Sequence, residues 1–299
     1  MKHVFTLEGG EKLSKEEFLR YFEKKVRKTI RIHKLFDKKE KIFVACSGGK
    51  DSTVVLYLMN KLKNRNIEVE ALHIDQSIGK YSEMNKKNIT KFCKQHKIKL
   101  HVYSFRDYFK KSHYYIRDAL QDKGMNWKSC TVCGVLRRYM INRIVKKLKA
   151  TKVVTGHNLD DEAQSILMNI FNNSIPMLAR LGPKSGIKEF EGFVSRIKPL
   201  YMSTEEEVKL FSKLMKFPIQ YESCPCREDS YRKSVLDMLD KFDKNHIGTK
   251  YGIINSFLEM MPVLKKEFSK GKVQICKNCK EPASKEECQT CKVLKIIQT

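Results

Sequence analysis

Short blocks of consecutive apolar residues alternate along this chain with longer stretches in which apolar positions recur every three or four residues. The blocks fall at 41–46 (KIFVAC), 69–74 (VEALHI), 99–105 (KLHVYSF) and 152–156 (KVVTG), and the helix-like stretches near 51–64, 82–97, 135–149 and 160–173. Strands alternating with helices of this length predict an α/β fold, a parallel sheet with helices on both faces, whose ligands sit at the carboxyl ends of the strands. Upstream, Ser14 followed three residues later by Glu17 predicts a capping box, with Phe18, Phe22, Val26 and Ile30 at helical spacing behind it. The periodicity fades from 174 to 203 among Pro176, Gly182, Pro183, Gly186, Gly192 and Pro199, then returns at 204–216, 230–244 and 249–268. The expected organisation is a basic N-terminal helical segment (1–38), a sheet domain (39–203), a helical extension completing the site (204–270) and a cysteine-bearing tail (271–299).

Charge adds a partner to this picture. Sixty Lys and Arg against 34 Asp and Glu leave +26, which suits a polyanion that releases counterions on binding, nucleic acid foremost. Lys24, Lys25, Arg27, Lys28, Arg31 and Lys34 form a basic face on the first helix that fits a phosphate backbone or, equally, an ordinary solvated surface. No apolar run approaches the roughly 20 residues of a membrane span, and the N-terminus lacks the apolar core of a signal peptide. A cytoplasmic protein with no membrane partner is expected. In that reducing setting ten cysteines read as metal or catalytic chemistry rather than disulfides. Cys130 and Cys133 form one C-x-x-C, Cys224 and Cys226 a C-P-C, and Cys276, Cys279, Cys288 and Cys291 a double C-x-x-C. Cys46 and Cys93 lie in apolar segments and read as small core residues.

The first strand runs directly into SGGKDS, residues 47–52, and then into a helix. A tight Gly-Gly turn opening a helix offers unpaired backbone N–H groups to an anion. The spacing is neither that of the nucleoside triphosphate P-loop nor the G-x-G-x-x-G of dinucleotide folds. It resembles the SGGxDS signature of the PP-loop ATP pyrophosphatase family, whose fold is that of the adenine nucleotide alpha hydrolases. The resemblance implies cleavage of ATP between its α- and β-phosphates, with AMP passed to a substrate oxygen and Mg²⁺ bridging the phosphates. By the same resemblance Ala45, Ser47, Gly48, Gly49, Lys50, Asp51 and Ser52 hold ATP, joined by His73, Ile74 and Asp75 at the second strand end and by Gly156 of TGHNLDDEAQ. Of Asp160 and Asp161 in that motif, helix capping accounts for one.

The cysteines choose the chemistry. Cys130 and Cys133 precede a helix opening with Arg137 and Arg138, a positive field that would stabilise thiolates as iron ligands or nucleophiles. Half a zinc site or a redox pair also fits a lone C-x-x-C. The pattern C-x-x-C-G-x-x-R-R with Cys224 some ninety residues on resembles the tRNA 2-thiolation branch of the family, the TtuA- and NcsA-type enzymes. That resemblance implies a [4Fe-4S] cluster on Cys130, Cys133 and Cys224 with one open iron, where sulfur would bind before displacing AMP. It also implies a catalytic acid at Asp161 and a catalytic basic residue at Arg137, although a guanidinium keeps its proton and suits charge stabilisation better. Cys226 could replace Cys224, ligate the fourth iron or carry a persulfide, with the resemblance favouring Cys224. The tail pattern C-x-x-C-x₈-C-x-x-C completes one tetrahedral zinc on Cys276, Cys279, Cys288 and Cys291. Lys270, Lys272, Lys277, Lys280, Lys285 and Lys292 around it suit a tRNA contact. The family's common N-terminal zinc motif has no counterpart here, since no cysteine precedes Cys46.

The expected function is an ATP-dependent tRNA sulfurtransferase that adenylates the C2 oxygen of a uridine and replaces it with sulfur. The target base must leave its stack, which suits a single-stranded loop nucleotide. Wobble uridine 34 is the preferred target, with uridine 54 and cytidine 32 as alternatives. The sulfur donor would be sulfide, a cysteine desulfurase or a ubiquitin-like carrier, and analogy suggests a homodimer. The competing readings are a cluster-free PP-loop ligase that transfers nitrogen and a non-catalytic RNA-binding protein.

Overall fold

The computed structural model describes residues 3–37, 39–64, 66–187, 190, 192–226, 231–269 and 273–298. Two short strands, β1 (Phe5–Thr6) and β2 (Lys12–Leu13), pair ahead of α1 (Lys15–Ile32). Then come β3 (Glu40–Cys46), α2 (Lys50–Asn60), β4 (Ile67–Asp75), α3 (Gly79–Gln95), β5 (Leu100–Ser104), α4 (Phe105–Phe109), α5 (His113–Asp122) and α6 (Ser129–Lys147). β6 (Lys152–Val154), α7 (Leu159–Phe171), α8 (Ile175–Leu178) and β7 (Ser195–Ile197) follow. The chain continues through α9 (Glu205–Leu214), α10 (Tyr231–Asn245), α11 (Thr249–Phe268), the pair β8 (Gln274–Ile275) and β9 (Pro282–Ala283), and α12 (Gln289–Gln298). No helix among the described residues is long and apolar enough to cross a membrane.

The five strands form one parallel sheet in the order β5-β4-β3-β6-β7. β4 and β5 are laid down on one side of β3, and β6 and β7 on the other. The order therefore reverses between β3 and β6, and the crevice at their carboxyl ends is where such a sheet binds ligands. β3 reads as a nearly continuous apolar run because both its faces are covered. Ile42, Val44 and Cys46 point into one core, shared with Phe18 and Phe22 of α1, Val54 and Val55 of α2, Phe92 and Cys93 of α3, and Phe211 of α9. Phe43 points into a second core with Ile116 and Leu120 of α5 and Val132, Leu136 and Met140 of α6. Burying each such side chain contributes roughly 2–3 kcal/mol. A third cluster joins α7 to α10 and α11 through Leu159, Ile166, Leu239 and Phe257. Cys46 and Cys93 are core residues, as their setting in the sequence indicates.

The capping box at Ser14 forms as expected, with the Glu17 N–H donating to Ser14 and the Glu17 carboxylate accepting from the Ser14 N–H at 2.8 Å. The basic face of α1 is narrower than its sequence suggests. Lys25 turns inward, its Nζ 2.7 Å from a Glu207 carboxylate oxygen and 2.7 Å from the Tyr251 hydroxyl, so it holds the fold together instead of facing solvent. Lys24, Arg27, Lys28, Arg31 and Lys34 stay exposed. The region around 174–203 contains the edge strand β7, too short and too charged to stand out by periodicity. α6 starts at Ser129, six residues before the expected helix, because Val132, Leu136 and Met140 already bury one face at four-residue steps. Cys130 and Cys133 thus lie within its first turns rather than ahead of it.

Candidate functional site

The loop after β3 is built to hold a ligand against its backbone. Gly48 has φ +89°, and a Cβ there would stand 2.7 Å from the Asn85 carbonyl oxygen of α3, so only glycine fits. The Ser47 N–H donates to the Ser52 hydroxyl at 3.1 Å, and that hydroxyl donates to the Gly49 carbonyl at 3.1 Å, which fixes the turn. α2 then begins at Lys50 with no side chain capping its N-terminus. Its first backbone N–H groups face the crevice beside the turn, an arrangement that suits a phosphate chain. Across the crevice the loop after β6 comes close enough that a Cβ on Gly156 would sit 2.8 Å from Asp51 and Ser52 backbone atoms. Ala45 is the penultimate residue of β3, just before this turn. His73 pairs in register with Cys46, and its Nδ1–H donates to the Cys46 carbonyl at 2.8 Å. That leaves the buried His73 Nε2 as an acceptor with no partner among the described residues. Burial lowers its basicity and keeps the ring neutral. Ile74, on the opposite face of β4, is buried in the second core, and Asp75 accepts the Ser77 N–H at 2.7 Å.

The two aspartates of α7 divide their tasks. Asp160 is structural: it accepts from Lys250 Nζ and from the Glu205 N–H at 2.7 Å. Asp161 closes a capping box with Asn158, whose side-chain oxygen accepts the Asp161 N–H at 3.0 Å. The Asn158 amide in turn donates to Asp51 at 3.0 Å, so the β6 loop, α7 and α2 meet at one point. Lys50 bridges Asp51 and Glu205, 3.0 Å from each. Burial and the neighbouring Asp51 charge push the Asp161 carboxyl up to about 6, which makes it able to hold a proton near neutrality.

A second wall of the cleft is cationic. Crowding and the charges of Lys198, Arg232, Arg137 and Arg196 lower the basicity of His157, whose ring remains exposed. Arg196 is itself lowered to about 10 by burial and by Arg138 and Arg137. Arg232 is anchored by Gln164 and Ser165, its Nε 2.6 Å from the Gln164 oxygen. Arg196 and Arg232 lie nearly 60 and nearly 100 residues beyond Arg137 in sequence and carry no motif, so only the fold assembles this cluster.

Arg137 links this wall to the cysteines, since its charge also bears on Cys133. Cys130, Cys133, Cys224 and Cys226 gather at the start of α6. The Cys130 thiol lies 3.6 Å from the Cys226 carbonyl, Cys133 interacts with the Cys130 and Cys226 thiols, and Cys224 with those of Cys226 and Cys133. At Cys133 burial works against the expected positive field of Arg137 and Arg138, whose charges favour the thiolate, and pushes the thiol up. Burial pushes Cys224 up to about 11. These four sulfurs do not close to the spacing of a single ion. Thiolates are the ligands an iron–sulfur cluster takes, and the four cysteines supply that donor set in one patch.

A family model described as a PP-loop domain matches residues 19–231. The chain belongs to the PP-loop family. This PP-loop protein is 33% identical, over 94% of its length and 86% of the relative's, to a tRNA-5-methyluridine(54) 2-sulfurtransferase of Pyrococcus horikoshii. It is 28% identical, over 97% of its length and 94% of the relative's, to the tRNA 2-thiolation protein NcsA of Haloferax volcanii. Among solved structures it is similar to the U34-tRNA thiolase NcsA from Methanococcus maripaludis with its [4Fe-4S] cluster. The TM-score is 0.79 and the identity 29%, over 99% of this chain and 93% of that one.

The PP-loop protein's tail carries a second, tighter group. The sulfurs of Cys276, Cys279, Cys288 and Cys291 all lie within 4.8 Å of one another, with Cys276–Cys291 at 3.8 Å and Cys279–Cys288 at 3.7 Å. Four sulfurs about 2.3 Å from one tetrahedral ion stand about 3.8 Å apart, so the cage suits one zinc-sized ion. Burial raises the Cys276 thiol, but backbone N–H groups of Cys279, Cys288 and Asn278 outweigh it and leave it at about 6. The tail is docked on α6, where Asn142 donates to Glu281 at 2.6 Å. Of its lysines, Lys277 pairs with Glu286 at 2.8 Å, while Lys270 and Lys272 lie outside the described residues.

Proposed function

We propose that this protein is an ATP-dependent tRNA sulfurtransferase that forms 2-thiouridine, with wobble uridine 34 as its preferred target. The observation that carries the reading is the meeting of two chemistries in one cleft, a glycine loop with Asp161 on one side and four cysteines on the other, joined by Arg137. Relatives similar over nearly the whole chain bear tRNA-thiolating names. Ser47, Gly48, Gly49, Lys50, Asp51 and Ser52 would grip the polyphosphate with Mg²⁺, while Ala45, His73, Ile74, Asp75 and Gly156 hold the adenosine end.

The uridine C2 oxygen attacks the α-phosphorus, pyrophosphate leaves, and the C2–O bond then breaks as sulfur takes its place and AMP departs. Asp161, raised to about 6 and so keeping a protonated fraction near neutrality, hands a proton to the leaving group, and Arg137 with Arg196 steadies the phosphate charge. The cluster, held by Cys130, Cys133 and Cys224, supplies the sulfur nucleophile when bound. The tail cage holds zinc and keeps α6 in position. The exposed arginines and lysines of α1 and the tail take the tRNA backbone, and the functional units follow the boundaries 1–38, 39–203, 204–270 and 271–299. A cytoplasmic homodimer drawing sulfur from sulfide or a ubiquitin-like carrier completes the reading.

Nucleoside mass spectrometry of tRNA from a deletion strain tests it. Loss of 2-thiouridine at position 34 supports the reading. Loss at 54, or of 2-thiocytidine at 32, moves the target, and unchanged thiolation overturns it.

A further inference from the structure

We propose that Cys226 is a fourth thiolate of the cluster site, closing on the iron that Cys130, Cys133 and Cys224 leave free in the resting protein. The inference rests on the cluster reading above and extends it.

Cys226 is only 7% exposed, yet it belongs to none of the apolar cores that hold the two structural cysteines. Cys46 and Cys93 pack among aliphatic and aromatic side chains of the first core. The neighbours of Cys226 are polar and sulfur-bearing instead. Its thiol interacts with the Tyr114 hydroxyl on α5 and with the Cys224 and Cys133 thiols. Its carbonyl accepts from Cys130 Sγ at 3.6 Å, which ties the Pro225 turn to the first turn of α6. A buried thiol outside the apolar cores, set against the Cys133 and Cys224 thiols and with its carbonyl on Cys130, is placed as a ligand rather than as packing.

Two residues of α5 support this placement. Tyr114 holds Cys226, and the adjacent His113 donates from Nε2 to the Ser129 carbonyl at 3.1 Å, one residue before Cys130. One helix N-terminus therefore sets the distance between the two cysteine segments. Four-iron clusters are ordinarily held by four thiolates, and here a fourth thiol stands beside the other three. Cys226 would protect the exposed iron until sulfur displaces it.

The test compares anaerobically loaded wild type with Cys226→Ala and Cys130→Ala, reading iron per chain, absorbance and electron paramagnetic resonance before and after mild ferricyanide oxidation. Circular dichroism verifies the fold. We expect wild type to keep four irons and Cys226→Ala to bind four but release one on oxidation with the signal of a three-iron cluster. Cys130→Ala should lose most of the cluster. Equal iron release from wild type and Cys226→Ala overturns the proposal while leaving the cluster reading intact. Complete loss of the cluster in Cys226→Ala also overturns it, by making Cys226 one of three essential ligands. A wild type that binds no iron overturns both.

Discussion

Replacing Asp161 by Asn should make the protein more stable at neutral pH while removing its activity. The carboxyl is raised from 3.8 to about 6 by burial and by Asp51, roughly two units, or about 3 kcal/mol of penalty on the charged form. Asp161 lines an open cleft, and solvent screening should reduce this to about 1–2 kcal/mol. The sign follows from the direction. A carboxyl with a raised native pKa favours the folded state fully below 3.8, and that advantage is lost as the pH climbs through about 6. Asparagine keeps an oxygen for the Asn158 N–H at the cap but never ionises. Urea unfolding of the nucleotide-free, Mg²⁺-free protein, followed by circular dichroism, should give equal stabilities near pH 4. A gap in favour of Asp161→Asn should open between pH 4.5 and 7. If the variant is instead less stable at pH 7.5 than wild type, the carboxylate is favourably placed and the assignment of a proton-holding acid fails. In wild type the same titration predicts an alkaline limb of thiolation that declines above about pH 6.

Three further outcomes follow from named contacts. Gly48→Ala forces a Cβ to within 2.7 Å of the Asn85 carbonyl at φ +89°, and should cost about 2 kcal/mol in thermal unfolding and abolish ATP-dependent pyrophosphate release. Lys25→Met leaves Glu207 buried without its cation and should destabilise by about 3 kcal/mol, whereas Arg27→Ala and Lys28→Ala should weaken tRNA binding in gel shifts with little change in melting temperature. Cys276→Ser should lower zinc, read by plasma mass spectrometry, from one per chain toward none and loosen α6, while Cys130→Ala should leave it unchanged.

Much of the fold was legible because its signals are local. KIFVAC and VEALHI are buried on both faces and so read as strands without alternation, KLHVYSF stands out as an apolar run although it lies at the sheet edge, and Ser14 with Glu17 marks a helix start by chemistry alone. β7 escaped because three residues, one of them Arg196, give no period. α5 escaped because His113, Tyr114 and Tyr115 interrupt the spacing of Ile116 and Leu120, although Ser112 caps it. At the site, the glycine loop and both cysteine pairs stand in the sequence because their chemistry needs adjacent residues. The convergence of Arg196 and Arg232 on His157, the inward turn of Lys25 and the burial of Cys226 depend on contacts between distant segments, which no local pattern encodes.

The most direct test of the proposed chemistry is the stoichiometry of an anaerobic reaction containing iron-loaded protein, ATP-Mg²⁺, sulfide and unmodified tRNA. Liquid chromatography with mass spectrometry reads AMP and nucleosides together. We expect one AMP for each uridine that exchanges oxygen for sulfur, with no thiolated nucleoside from Cys130→Ala. AMP formation that proceeds without thiolation, or a nitrogen-for-oxygen exchange when ammonium is present, would contradict the sulfurtransferase reading.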